Sequence, residues 1–179
     1  AIGQGVLAVA PCIGTDQMGP KRFGAKGKLA FSFGNVAQDE GSAMAELAWR
    51  NGWKSAATAT NTLLVYFKNV VQAFEVRFKQ LGGKIVSRES YATGANNVNA
   101  AVSRLNGAKA DVIVAIATPS AQAVAAATKD IPLVFSAVTD PVVAKLVPSM
   151  QPSGTNVTGV SDALELGKQI ELIRRVAPA

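Results

Sequence analysis

The chain has 179 residues, of which 49% are hydrophobic and 17% charged, with a formal net charge of +6. This is a globular rather than a disordered composition, and the length suits one α/β domain or one domain with an appendage. A single cysteine, Cys12, excludes an internal disulfide and a cysteine zinc cage; the lack of any histidine excludes Ser–His and Cys–His nucleophile pairs and imidazole metal ligands.

The apolar runs are far shorter than the roughly 20 residues a transmembrane helix needs. A basic–apolar–small leader pattern is not read at the start of the sequence. The basic residues are scattered, the densest groups being Lys21-Arg22 with Lys26 and Lys28, and Arg174-Arg175. None is interleaved with aromatics as in a nucleic-acid groove, so they are read as solubilising charge and helix C-terminal cations, and no nucleic-acid partner is expected.

In chain order, Val6–Ala10 is a short strand candidate, followed by a Gly/Pro/Lys-rich loop to Lys28 and a second short strand at Leu29–Phe33. Ala37, Met44, Ala45, Leu47 and Ala48 recur at helical spacing between Val36 and Asn51, and Asn51-Gly52 stops that helix. Lys54–Thr60 reads as a strand unusually rich in Ala and Thr. Val65–Leu81 is an amphipathic helix with Val70, Val71, Phe74, Phe78 and Leu81 on one face, ended by Gly82-Gly83. Lys84–Ser90 is a strand and Asn96–Leu105 a helix with Val98, Ala101, Val102 and Leu105 inward.

Three similar units follow: VIVAIATPSAQ (112–122), PLVFSAVTDPV (132–142) and NVTGVSDALEL (156–166). Each is a short, nearly continuous apolar run, as expected of a parallel strand covered on both faces, then a small polar cap and a helix start. Thr118 precedes Pro119 and Asp140 precedes Pro141, the arrangement of an N-cap followed by proline in the first turn. In the third unit Glu165 stands three residues past Asp162 as a capping-box partner. The last helix, Leu164–Val176, places Leu164, Ile170, Ile173 and Val176 near one stripe and stops at Pro178.

From Lys54 onward the alternation is βαβαβαβαβα. It predicts an α/β fold with a flavodoxin-like, doubly wound, five-stranded parallel sheet in the order 2-1-3-4-5. Ligands of such sheets bind at the carboxyl ends of the strands, beside helix N-termini. Thr118, Pro119 and Ser120, then Thr139 and Asp140, then Ser161 and Asp162 all fall at that edge, and Tyr66 opens the helix after the first strand close by. Thr118-Pro119-Ser120 alone is read equally well as ordinary helix capping, and Asp140 alone reads better as an N-cap; their coincidence on adjacent strand ends is what favours a polar ligand. Trp49 and Trp53 are read as packing residues. Asn156-Val157-Thr158 matches a glycosylation sequon but lies in a predicted strand.

No G-x-G-x-x-G or Walker loop follows the first strand, where Thr58-Ala59-Thr60-Asn61-Thr62 stands instead. A flavin or nucleotide phosphate held by that Thr/Asn-rich stretch stays open as an alternative, and no cofactor is expected. The acidic cluster of a response regulator is missing from the same place.

In two pieces the chain resembles known families. From about Gly5 to Leu105, VLAVAPCIGTD, FSFGNVAQDEGSAMAELAWRNGWK and FKNVVQAFEVRFKQLGGKIVSRESY resemble the substrate-binding proteins of branched-chain amino-acid ABC transporters. From about Asp111 to Pro178, VIVAIATPSAQAVAAATKDIPLVFSAVTDPV and GTNVTGVSD resemble the tryptophan/tyrosine-type ABC substrate-binding family. Both belong to the type I periplasmic-binding-protein superfamily, whose members close two flavodoxin-like lobes around a solute. The resemblance implies a chain read as a possible chimera of two half-lobes, with residues 1–34 an N-terminal extension and 35–179 a single lobe. A natural single-lobe relative or a fragment is the other reading.

The resemblance further implies that Thr118, Pro119, Ser120, Thr139 and Asp140 match the cleft loops of the second family. Ser161 and Asp162 match its crossing toward the partner lobe, and Tyr66 lies in a helix start that lines the cleft of the first. It implies a periplasmic, non-enzymatic solute-binding lobe for an amino acid or similar small polar ligand. Binding would be weak or absent, an ABC permease would be the partner of the intact protein, and the exposed lobe face would be a homodimer surface. A recombined scaffold without ligand is the alternative from a different class.

Overall fold

The computed structural model describes residues 2–9, 14, 19–31, 37–92, 98–152, 154–162 and 166–176. Expectations placed on Cys12, Phe33, Asn96, Leu164, Glu165 and Pro178, and on the side chains of Val98, Ile173 and Val176, lie outside what is described.

The N-terminal strands start later than predicted, at Ala8 rather than Val6 and at Ala30 rather than Leu29. β1 (Ala8–Val9) and β2 (Ala30–Phe31) form a two-residue parallel pair, with Ala8 opposite Ala30 and Val9 opposite Phe31. Within the stretch read as loop lie one helical turn, α1 (Pro20–Phe23), and a 3₁₀ segment, Gly24–Leu29. α2 (Ala37–Arg50) follows. Its buried stripe is Ala37, Gly41, Met44, Ala45 and Ala48, whereas Leu47 points outward.

The sheet contains β3 (Ser55–Asn61), β4 (Lys84–Tyr91), β5 (Val112–Ile116), β6 (Leu133–Val138) and β7 (Val157–Ser161). All pairs are parallel and the order is β4-β3-β5-β6-β7, which is the flavodoxin-like 2-1-3-4-5 order. The crossovers carry α3 (Val65–Gln80), α4 (Val98–Gly107) and α5 (Thr118–Ala127), and α6 (Leu166–Val176) closes the chain. α3 ends as its Gly82-Gly83 pair predicts: Gly82 takes the left-handed conformation (φ 98°), its N–H donates to the Lys79 carbonyl, and the Gly83 N–H donates to the Phe78 carbonyl.

Two cores sandwich the sheet. On one face α2 and α3 set Met44, Ala48, Val70, Phe74 and Phe78 against Ala56, Val112, Val114, Ile116 and Val134. On the other, α4 and α5 set Val102, Leu105, Ala121 and Val124 against Ala57, Ala59, Ile113, Leu133 and Phe135. The Ala/Thr composition of β3 follows from its place. It is buried on both faces between β4 and β5, and its small side chains let the larger residues of both helical layers reach the sheet. α2 rests on α3 backbone to backbone: a Cβ on Gly41 would strike the Val70 carbonyl oxygen and sit 2.7 Å from the Phe74 amide nitrogen. Trp49 packs edge-on to Phe78 (6.4 Å between ring centroids) under the Lys54 ammonium, and Trp53 packs against the same core, as packing residues would.

Two readings of the strand–cap–helix units are corrected. Thr118 is not the cap of α5. Ala117 holds that position in the left-handed region (φ 78°), its N–H extending the ladder to the Ser136 carbonyl, so the helix starts at Thr118, one residue earlier than expected, and alanine offers no side-chain acceptor to cap it. Among the described residues, no helix lies between β6 and β7. Asp140 caps a single turn over 141–145, where Lys145 turns left-handed (φ 58°), and the chain then bends at 148–151, a stretch that Pro148 and Pro152 flank. In α6, Ile170 is 54% exposed rather than inward.

Candidate functional site at the carboxyl edge of the sheet

The carboxyl ends of β3, β5, β6 and β7 lie side by side, and the sequence-predicted residues fall along them. After β3, the Asn61 side-chain carbonyl accepts the Leu63 N–H at 2.8 Å, which holds the turn into α3. α3 starts behind Leu64 with no side-chain cap. Leu63, Leu64 and Val65 are exposed there, and Tyr66 is half-buried behind them.

The predicted residues divide into three groups. Thr118 is the first residue of α5, Pro119 is exposed, and Ser120 is fully buried with its hydroxyl donating to the Ile116 carbonyl. Thr139 and Ser161 are joined, the Ser161 hydroxyl donating to the Thr139 carbonyl at 2.9 Å, and the Asp162 N–H donates to the Val138 carbonyl at 3.1 Å. Asp140 is exposed, and one of its oxygens accepts the Val142 and Val143 N–H groups at 2.9 Å each. It is thus a turn cap whose second oxygen carries no described hydrogen bond. Tyr66 forms the third group with an acid that sequence reasoning missed: its hydroxyl donates to Glu40 of α2.

Burial is the main reason the Glu40 carboxyl is raised above its ordinary value; Asp162 adds to the rise and the Tyr66 hydrogen bond opposes it. The Tyr66 phenol is raised as well, by burial first and then by Glu40 and Asp162. Glu40 and Tyr66 thus join α2 to α3 by a side-chain hydrogen bond. No local pattern points to it, since Glu40 and Tyr66 stand 26 residues apart on different helices. Tyr91, at the end of β4, was also missed; burial raises its phenol, and its hydroxyl has no hydrogen-bond partner among the described residues.

The Thr58–Thr62 stretch is strand more than loop. Thr58, Thr60 and Asn61 are buried; the Thr58 hydroxyl donates to Glu75 at 3.0 Å, and the Thr60 hydroxyl to the Asn61 carbonyl at 3.3 Å. A separate groove of about 500 Å³ is lined by α2 and α3 residues alone, among them Gln38, Ser42, Gln72 and Arg77. Among the described residues no group of three or more acidic, Cys or His side chains is placed to hold a metal ion, and no helix is long and apolar enough to cross a membrane.

The family model for ABC transporter substrate binding proteins matches residues 68–179. The tyrosine-binding protein of Clostridioides difficile (strain R20291) is 54% identical over 70 residues, 39% of this chain and 20% of that protein. The ligand-free, open structure of a Clostridium difficile substrate binding protein with adhesive properties shares 32% identity at a TM-score of 0.62, covering 70% of this chain and 44% of that one. A solute binding protein from R. palustris in complex with benzoate matches all of this chain, and 51% of its own, at a TM-score of 0.71 and 21% identity, a likeness of fold alone. The chain thus spans about half, or less, of the length of these relatives.

Proposed function

Because the chain belongs to the family of ABC transporter substrate binding proteins, we propose that it is a solute-binding lobe of an ABC importer, taking an amino acid or similar small polar molecule at the carboxyl edge of its sheet. The observation that carries this reading is the convergence there of Tyr66, Thr118, Thr139, Asp140, Ser161 and Asp162 with the first turns of α3 and α5, neither of which has a side-chain cap. Uncapped first-turn N–H groups favour a carboxylate, and the neighbouring acids favour an ammonium group. In this reading Pro119 shapes the α5 turn and Ser120 anchors it. The tyrosine named in the C. difficile relative and the L-Trp bound to a Streptococcus pneumonia ABC domain (32% identity, TM-score 0.57, 69% of this chain and 43% of that one) support an aromatic amino acid as the first solute to try.

The proposal includes no chemical step: the protein captures a solute outside the cytoplasm, in the periplasm, for delivery to a membrane permease. One lobe supplies one wall of a cleft, so binding is weak, in the millimolar-to-micromolar range expected when far less than the usual 70–90% of ligand surface is enclosed. The exposed Leu63, Leu64 and Val65 are the apolar surface for an opposing wall, either a second lobe or a second copy of the chain. Calorimetric titration with L-tyrosine and L-tryptophan tests the reading. It expects binding that Asp140→Ala removes without lowering the melting temperature by more than the loss of one turn cap; a flat titration across the amino acids contradicts it.

A recombined scaffold is the second reading. It is favoured by the contrast between matches at 32% identity over about 70% of the chain and a match over the full chain at 21%. It predicts a cooperative melt that no solute shifts.

A further inference from the structure

The groove of about 500 Å³ on the solvent-facing side of α2 and α3 has its origin in the contact at Gly41. A Cβ there would also stand 2.9 Å from the Ala73 methyl, so the two helices meet with no longer side chain between them. Side chains of both helices flank that contact: Gln38 and Ser42 from α2, and Gln72, Val76 and Arg77 from α3. The volume falls within the roughly 300–1,000 Å³ of small-molecule sites. Tyr66, Thr118, Thr139, Asp140, Ser161 and Asp162 do not line it, so it is separate from the carboxyl edge.

Two observations define what the groove accepts. The first is an orphaned acceptor: the Gln38 side-chain carbonyl oxygen is buried and has no hydrogen-bond partner among the described residues. A buried polar atom in that state calls for a missing partner. A side-chain amide can turn over, and a hydroxyl, which both donates and accepts, satisfies it in either orientation. The second is charge. Arg77 is the one charged residue among those lining the groove, and it is already matched. Its Nε (2.7 Å) and Nη2 donate to Glu46, and its Nη1 donates to the Gln80 side-chain carbonyl at 3.2 Å. Neither an anion nor a cation therefore finds an unmatched charge there, whereas Val76, 51% exposed, offers apolar surface.

We propose that this groove is a second binding site, for a neutral saccharide of one or two rings. Its hydroxyls reach Gln38 and Ser42, and the C–H face of a ring lies on Val76 and Ala73. No aromatic side chain lines the groove to stack on a ring, so binding is in the millimolar range. The site shares no residue with the amino-acid reading and stands independently of it.

The test is amide chemical-shift mapping by NMR on the full chain, titrated with glucose, maltose, glucosamine and glucuronate. Glucose and maltose are expected to shift Gln38, Ser42, Gln72 and Val76 and to saturate, the two charged sugars about tenfold more weakly. Gln38→Leu weakens maltose by at least about tenfold. It leaves the urea midpoint unchanged or raised, because it removes a buried polar atom that has no partner; a residue that only held the helices together would lower it. Should Gln38→Leu disturb folding, Ser42→Leu fills the groove from the opposite end of the same bank and is expected to abolish the shifts. L-Tryptophan leaves these four amides unmoved, so either site can fail alone. Sugar shifts scattered over the surface, or maltose binding indifferent to both substitutions, overturn the site. A charged sugar binding more tightly than glucose overturns the neutral ligand. Shifts at these residues that follow protein concentration without sugar assign the groove to a second copy of the chain and overturn it as well.

Discussion

At the residue scale, two carboxylates carry the clearest tests. Glu40 has its carboxyl raised in the folded chain, chiefly by burial, so the folded state holds a proton there more tightly than the unfolded state does. Its contribution to stability is complete below about the ordinary value of 4.5 and is lost as pH rises through the raised value. Glu40→Gln is therefore expected to flatten the fall in stability from acid toward neutral pH, read as urea midpoints across that range. An unchanged slope contradicts it.

Asp111 works in the opposite direction. It sits at the amino edge of the sheet, where one of its oxygens accepts the Lys54 and Ser55 N–H groups at 2.8 Å each, and those bonds hold its carboxyl below the ordinary value. Its contribution is present above the ordinary value of 3.8 and is lost as pH falls through the lowered one. Asp111→Ala is expected to cost about 1–2 kcal/mol at neutral pH by chemical denaturation, at the low end because the group is exposed. The place of these residues at the ends of strands was legible in the sequence, as was the turn cap at Asp140, although Thr118 stands inside its helix rather than capping it. What was not legible was which hydroxyls remain open. Ser120 turns inward to the Ile116 carbonyl, and Glu40 joins Tyr66 only because α2 lies across α3.

At the scale of elements, the alternation of apolar runs and helical stripes predicted all five strands of the main sheet and their order, because a parallel strand buried on both faces leaves an unambiguous run. It failed after β6, where Asp140-Pro141 carries every local mark of a helix start. Helix growth there stops at Lys145 and the prolines that follow, so the capping signal was real and the helix was not. The Gly41 contact between α2 and α3 was likewise invisible, since a glycine within a helical stripe reads as a weak helix residue rather than as a place where two backbones touch. Gly41→Ala is expected to force those helices apart and to cost about 1–3 kcal/mol in chemical denaturation. A neutral result would show that the pair can slide without loss.

At the scale of the whole molecule, the chain carries a flavodoxin-like sheet and belongs to a family of substrate binding proteins, and it spans about half, or less, of the length of the relatives it matches. The resemblance named the superfamily from strings on both sides of Asp111. In the proposed function the carboxyl edge is one wall of a cleft, with uncapped helix starts, Tyr66 bonded to Glu40, and exposed leucines. The central claim is that a solute meets this wall. Amide chemical-shift mapping by NMR during titration with L-tryptophan tests it most directly. The account predicts shifts centred on Tyr66, Thr118, Thr139 and Asp162, with Lys54 and Asp111 at the opposite edge unmoved. Shifts centred on Lys54 and Asp111, or none anywhere at millimolar solute, would contradict it.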